Sequence, residues 1–373
     1  MNINFKGYGA CPLKALHLQM PSYFDQKNTV LDAAVELEEI AKQENFDVFI
    51  HANGDLYSGN QAGDLTTYKF PEYQNVRPFI QDMRLFLPNE KLGIFKNTRR
   101  PQIAESERKE SEKFVKAVNR NPLELSMLTE GGNLFIGKKD NGEKYLLIGD
   151  TPIRRSSEVL SEEWDKADLQ AKKQLGKGAI EKIAKETGIK PDNIYMISQS
   201  PDFSPALAER LPPDFQMDFH IDMVVRPLKY PYVLVNDPSR IDIENSGMNR
   251  FLWQKQVENI RRGRLTSPEK IMDELKAQGF VPIPVPGIIN EKNANYTNAI
   301  VHERPNGELV YITNSASGHQ KDIGSNLDNL FKSYIEKNVS GIKEIKFVKN
   351  HLLDKLGGIH CMTLEEPDFE KWA

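Results

Sequence analysis

An α/β fold with antiparallel strand pairing inside each repeated unit is predicted by three features of the chain. Helical stretches that break at Gly or Asn and run into short apolar strands recur at least four times. Two further pairs of apolar segments meet across an Asn-Gly turn, the signature of a hairpin. No Ser/Gly/Pro-rich linker divides the 373 residues, which argues for a single domain over residues 1–373.

The units follow one plan. In NTVLDAAVELEEIAKQ (28–43), Val30, Leu31, Ala34, Val35 and Leu37 make an apolar helix face, and FDVFIHANG follows as a strand ending in a turn. GAIEKIAKETGIKPDNIYMISQS repeats this from Gly178. SPEKIMDELKAQGFVPIPVPG does so from Ser267, a natural N-cap, with Pro268 at the first helical position. NLDNLFKSYIEKNVSGIKEIKFVKN does so from Asn326. The hairpins are NLFIGKKDNGEKYLLIGD (133–150) and AIVHERPNGELVYITN (299–314). A doubly wound parallel sheet, whose strands alternate singly with helices, does not fit this pattern. The polar stretch 156–178 reads as an insertion of one or two charged surface helices.

Composition excludes several classes of function. With 39% hydrophobic and 27% charged residues the chain is globular, and a net charge of -4 gives no nucleic-acid footprint. The basic cluster Arg261, Arg262 and Arg264 reads as a solvated helix end. No apolar run approaches the roughly 18 residues of a membrane span, and the start lacks a signal-peptide core. The expected compartment is the cytoplasm, with signal-independent secretion open. Two cysteines 350 positions apart make no disulfide framework and leave Cys361 a free thiol. Asn295-Tyr-Thr and Asn338-Val-Ser match the glycosylation pattern but mean little in such a chain.

Four stretches carry residue types suited to chemistry: FIQDMRLF with Asp82 on an apolar strand, LTEGGNLFIG with Glu130 before two glycines, DFHIDMVV with His220 and Asp222, and GGIHCMT with Cys361. Strand alternation puts Asp218, His220 and Asp222 on one face and sends His360 and Cys361 to opposite faces. Each stretch alone also has an ordinary reading: a satisfied sheet-edge pair, a Gly-Gly turn at positive φ, a small buried thiol. A metal site is not expected, since no CxxC or HxxxH spacing is present.

Together the four stretches resemble the pentein superfamily of guanidino-group-modifying enzymes, its deiminase branch in particular. GGIHCMT resembles the nucleophile loop of that superfamily, HIDM its His-x-Asp motif, EGGN the Glu-Gly-Gly element of arginine and agmatine deiminases, and NYTNAIV the segment carrying an asparagine ahead of the last hairpin. PFIQDMRLF is closest to protein-arginine deiminases, though Gln81 stands where the small-molecule enzymes have an arginine before the aspartate. The resemblance spans residues 76–363 and implies a pseudo-fivefold α/β propeller of five ββαβ units. It implies Cys361 as nucleophile, His220 as acid/base and Glu130 as a further catalytic residue. Asp82, Asp222, Asn298 and Arg99, the last with Arg100 in KNTRRPQ, are implied on the substrate. The reaction implied is hydrolysis of an arginine-like guanidinium, with arginine in a protein favoured by PFIQDMRLF, to a ureido product and ammonia, without cofactor or metal. Free arginine or agmatine as substrate, an amidinotransferase, and a silent pentein that only binds a guanidinium or a partner are the alternatives.

Carboxylates around Cys361 oppose a thiolate, so its pKa need not be low before substrate arrives.

Overall fold

A computed structural model of the chain describes residues 9–21, 24–52, 55–58, 80–87, 91–95, 101–157, 159, 161–199, 220–246, 250–262, 266–288, 294–316, 321–349 and 358–371. Among these, the strands form five small sheets. The first contains β1 (Leu13–Gln19), β2 (Asp47–Ala52) and β3 (Asp55–Tyr57). The second contains β4 (Arg84–Leu87), β5 (Lys91–Phe95) and β6 (Asn121–Leu125), and the third β7 (Leu134–Lys138), β8 (Lys144–Gly149) and β9 (Ile194–Ile197). The fourth contains β10 (Val225–Pro227), β11 (Tyr232–Asp237) and β12 (Val281–Pro286), and the fifth β13 (Ile300–Glu303), β14 (Leu309–Asn314) and β15 (Ile342–Val348). The last strand, β16 (Thr363–Pro367), returns to the first sheet and pairs with β1.

One rule generates all five. A first strand pairs antiparallel with a second (β4 with β5, β7 with β8, β10 with β11, β13 with β14, β16 with β1), and the second pairs parallel with a third. A parallel neighbour requires a crossover, and helices supply it. Phe24–Glu44 lies between β1 and β2, Pro101–Ala117 between β5 and β6, and Lys321–Asn338 between β14 and β15. The expected ββαβ unit is therefore present five times. The helix of the second unit escapes sequence reading because its middle, from Arg108 to Lys113, is almost entirely charged, and among its described side chains the apolar core contacts come from Phe114 and Val115 in the last turn.

Local chemistry agrees with this plan. Both Asn-Gly hairpins turn on glycines in the left-handed region, Gly142 at φ 81° and Gly307 at φ 84°. The Ser267 hydroxyl accepts from the Lys270 amide at 3.1 Å, capping the helix Pro268–Ala277. Within 156–178 lie the helices Ser161–Lys166 and Leu169–Leu175, tied down where Trp164 is buried and Lys172 pairs with buried Asp150 at 2.8 Å. Among the described residues no helix is long and apolar enough to cross a membrane.

The first strands β4, β7, β10, β13 and β16 are almost wholly buried, and β16 packs beside β4. Charged side chains on them are tied inside: Arg226 donates to Glu365 at 3.1 Å, and Arg120 donates to Glu366 at 2.6 Å. His17 on β1 meets the other Glu366 oxygen at 2.8 Å. Burial alone would raise the Glu366 carboxyl, but His17, Lys14 and Arg120 hold it down at about 2.

His51, at the end of β2, is completely buried, and neither ring nitrogen has a hydrogen-bond partner. Burial, reinforced by the Arg84 and His17 charges, pushes its pKa down to about 3. The unfolded chain protonates a histidine near about 6.5. Between these values the unfolded state binds the extra proton, so stability falls as pH drops below the unfolded value and stops falling on this account near the folded one. Urea unfolding of the wild type between neutral pH and pH ~4 should show this slope, and His51→Leu should reduce it by about one proton; equal slopes in the two proteins would rule out His51 as the cause.

Candidate active site

Each first strand is entered from a segment carrying one of the expected residues, and four of the five entrances are short helical turns. Ile80–Met83 precedes β4 and carries Asp82; Gly131–Asn133 precedes β7 and follows Glu130. Ile221–Met223 precedes β10, with His220 as its N-cap and Asp222 inside it. Ile359–Met362 precedes β16 and carries Cys361. Asn298 stands two residues ahead of β13. Two expectations are corrected here. Asp82 and Asp222 lie on 3-10 turns rather than on strands, because the chain enters each buried strand by a tight turn that aims a polar side chain across its end. His360 and Cys361 share a helical turn instead of alternating on a strand, so both reach Asp222. Asp218, Arg99 and Arg100 lie outside the described residues.

Asp82, Glu130, His220, Asp222 and Cys361 converge on one point. Ligand atoms of His220, Asp222 and Cys361 lie within 4.8 Å of one another, as do those of Asp82, Glu130 and His220, so the imidazole is shared by both groups. His220 Nε2 is 2.6 Å from a Glu130 oxygen, and its Nδ1 is 3.9 Å from Asp82. Cys361 Sγ donates to Asp222 Oδ2 at 3.4 Å and accepts from Asn298 Nδ2 at 3.0 Å. The sulfur is deeply placed, with Cys361 4% exposed, Asp82 3% and Asp222 0%.

The glycines have a steric job. Gly131 and Gly132 are absent from the positive-φ residues, contrary to the turn reading. A side chain at Gly132 would instead place its Cβ 2.4 Å from His220 Nδ1, so the missing Cβ is what lets the imidazole lie against the turn. Gly358 has φ -101°, also ordinary. A Cβ there would come within 2.4 Å of Asn298 Oδ1 and 2.7 Å of Asn314 Nδ2.

Those asparagines hold the turn that carries Cys361. Asn298, expected among the substrate contacts, directs its amide at the loop: Oδ1 accepts from the His360 amide at 3.0 Å and from the Cys361 amide at 3.3 Å. Asn314 accepts from the Ile359 amide at 2.8 Å and donates to the carbonyls of Asn295 and Asn298, both at 2.9 Å. Asn295 donates to the Met223 carbonyl at 2.9 Å, fastening the Asp222 turn to the same network, and is only 1% exposed. Asn314 and Asn295 were missed in the sequence. Asn314 ends a strand with no spacing signal, and the glycosylation pattern at Asn295 points outward while the side chain is buried.

The electrostatics push the imidazole and the thiol the same way, each toward its protonated form. For His220 burial works against the imidazolium, but the Asp82 charge, the Cys361 thiol and the Glu130 carboxylate outweigh it and raise its pKa well above the ordinary value. Burial and the Asp222 charge push the Cys361 thiol up to about 12, against the opposing pull of His220. Burial would raise Asp222, yet the His360 hydrogen bond and the neighbouring imidazole charges lower it. At neutral pH the site holds an imidazolium, a protonated thiol and an ionised Asp222. The spacing of these groups is also within reach of a metal ion.

No protein-family model and no curated protein matches the chain. Solved structures do. The agmatine deiminase of C. jejuni aligns with a TM-score of 0.60 at 16% identity, over 98% of this chain and 97% of that one. A cysteine-to-serine variant of the C. jejuni enzyme with substrate bound gives 0.59 at 14% identity over 98% and 97%. A candidate peptidyl-arginine deiminase gives 0.56 at 14% over 98% and 99%. The chain therefore has the pentein fold of these proteins along nearly its whole length, the five-unit propeller that the sequence resemblance implied.

The clamp on the turn that carries Cys361 has a measurable consequence. Gly358→Ala should lower stability by about 1–3 kcal/mol through overpacking against Asn298 and Asn314, read as a shift in the urea midpoint at unchanged m-value. An unshifted midpoint would show that the loop is not held as tightly as its contacts indicate.

Proposed function

We propose that this protein is a guanidine hydrolase that converts an arginine-like guanidinium to a ureido group and ammonia through a covalent intermediate on Cys361. The observation that supports this most strongly is the convergence of a thiol, a protonated imidazole and three carboxyl groups from four separate segments of a pentein fold. Such a site is built for a flat cation: carboxylates match the N–H fork of a guanidinium through charge-assisted, bidentate bonds.

In this reading Asp82 and Asp222 bind the guanidinium and present its central carbon to Cys361. The arriving cation offsets the carboxylate charge that holds the thiol protonated, so the sulfur gives up its proton to solvent as substrate binds. The thiolate attacks the carbon and forms a C–S bond. The C–N bond breaks as His220 gives its proton to the departing nitrogen, which leaves as ammonia, and a thiouronium remains on the cysteine. The now neutral His220 takes a proton from water. The resulting hydroxide adds to the same carbon, the C–S bond breaks, and the ureido product leaves a free sulfur. Glu130, 2.6 Å from His220 Nε2, fixes the imidazole and keeps its charge favourable.

The depth of Cys361 and both aspartates favours a slender guanidine, agmatine or free arginine, as substrate. Protein arginine is the second reading, carried by PFIQDMRLF around Asp82. Ureido product should therefore form from agmatine or arginine in a panel that also holds a blocked arginine amide and an arginine-containing protein. Cys361→Ala should release no ammonia, and a chelator should leave the rate unchanged. Failure of all four substrates sinks the hydrolase reading, and an amine that outcompetes water as acceptor would make the protein a transferase.

Substrate-assisted ionisation has its own readout. Without ligand at neutral pH the wild type should show no ultraviolet thiolate absorbance beyond that of Cys361→Ala, and a bound guanidinium compound should bring the signal in. A thiolate already complete in the empty protein would overturn the substrate-assisted step.

A further inference from the structure

We propose that His360, the residue ahead of the nucleophile, is a positioning residue that sets the plane of the Asp222 carboxylate for guanidinium binding. The proposal rests on the guanidine-hydrolase reading.

The geometry is specific. His360 Nδ1 lies 2.8 Å from Asp222 Oδ2, the same oxygen that accepts from Cys361 Sγ at 3.4 Å. Consecutive residues on a strand could not do this; the helical turn Ile359–Met362 allows it. The histidine is itself fixed from two sides. Its backbone amide donates to Asn298 Oδ1 at 3.0 Å, and its ring lies against Phe135 with centroids 5.3 Å apart. Phe135 in turn lies beside the buried guanidinium of Arg226, 5.1 Å from the ring centroid. His360 is 3% exposed and Asp222 fully buried, so the bond forms where water does not compete.

The terminal torsion of an aspartate is broad, and rotation about it swings both oxygens. A bidentate contact with a planar guanidinium tolerates little of that swing. A donor anchored to the nucleophile loop removes it and ties the carboxylate plane to the position of the sulfur. Substrate carbon and attacking atom are then placed by one rigid element. A residue that served only to fill the core would need the ring of His360 but not its nitrogen.

Three variants separate these roles. His360→Phe keeps a ring on Phe135 and removes the donor; His360→Asn offers an amide N–H close to the place of Nδ1; His360→Gln is equally polar but displaces the donor by one bond. With the substrate that the panel identifies, the Phe and Gln variants should raise KM roughly tenfold or more, the loss expected for a hydrogen bond to a charged group. Their kcat should change less, and Asn should restore KM. Protection of Cys361 from iodoacetamide by guanidinium chloride, followed on the Cys361 peptide by mass spectrometry, should weaken in parallel. If the Phe variant does not fold, the Asn and Gln pair decides the question alone. Wild-type KM and protection in both the Phe and Gln variants, with at most a lower Tm, would reduce His360 to a core residue and leave the hydrolase reading standing. A wild type that turns over no guanidine and gains no protection would instead remove that reading, and this proposal with it.

Discussion

Cys361 reaches its partners because the last strand of the chain pairs with the first. β16 joins β1 in antiparallel register from Leu18 opposite Thr363 to Leu13 opposite Pro367, which completes a fifth unit from residues more than 340 positions apart. Without that closure the first unit would lack its first strand, and the helical turn bearing Cys361 would have no strand end to stand on. Buried charges secure the same strand from its two sides, Arg226 on Glu365 and His17 with Arg120 on Glu366. Such pairs are strongly unfavourable to break once formed, because each leaves an uncompensated charge inside the protein. They make the position of β16 a well-determined quantity rather than one contact among many.

The second constraint is electrostatic. Asp222 is fully buried and is kept ionised by the His360 bond and the neighbouring imidazoles, while its charge helps to keep the thiol 3.4 Å away protonated. The same carboxylate thus disfavours a thiolate for as long as no cation offsets its charge.

Much of this was legible from residue order. Alternating helix and strand signals with Asn-Gly hairpins implied the antiparallel units, since glycine is what an αL hairpin position demands and Gly142 and Gly307 both occupy it. The residues at 82, 130, 220, 222 and 361 were recognisable through the motifs around them and their order along the chain, which resemble those of guanidino-group-modifying enzymes. Reading their stretches as strands was the error. Apolar runs such as FIQDMRLF and HIDMVV have no helical period, yet their first residues form a 3-10 turn before pairing starts. A period-two pattern cannot reveal where pairing begins, as that is decided by the neighbouring unit.

The amino-acid sequence by itself determined which side chains could take part and the unit from which the fold is repeated, because propensity, turn chemistry and functional-group chemistry are local properties. Tertiary structure alone decided that Gly132 makes room for an imidazole and Gly358 for two asparagines. It decided also that Asn295 and Asn314 turn inward to hold the turn that carries Cys361, and that His360 and Cys361 share one carboxylate oxygen. These are contacts between residues as much as 139 positions apart. They exist only once five strand entrances are gathered at one point, and no local pattern encodes that distance.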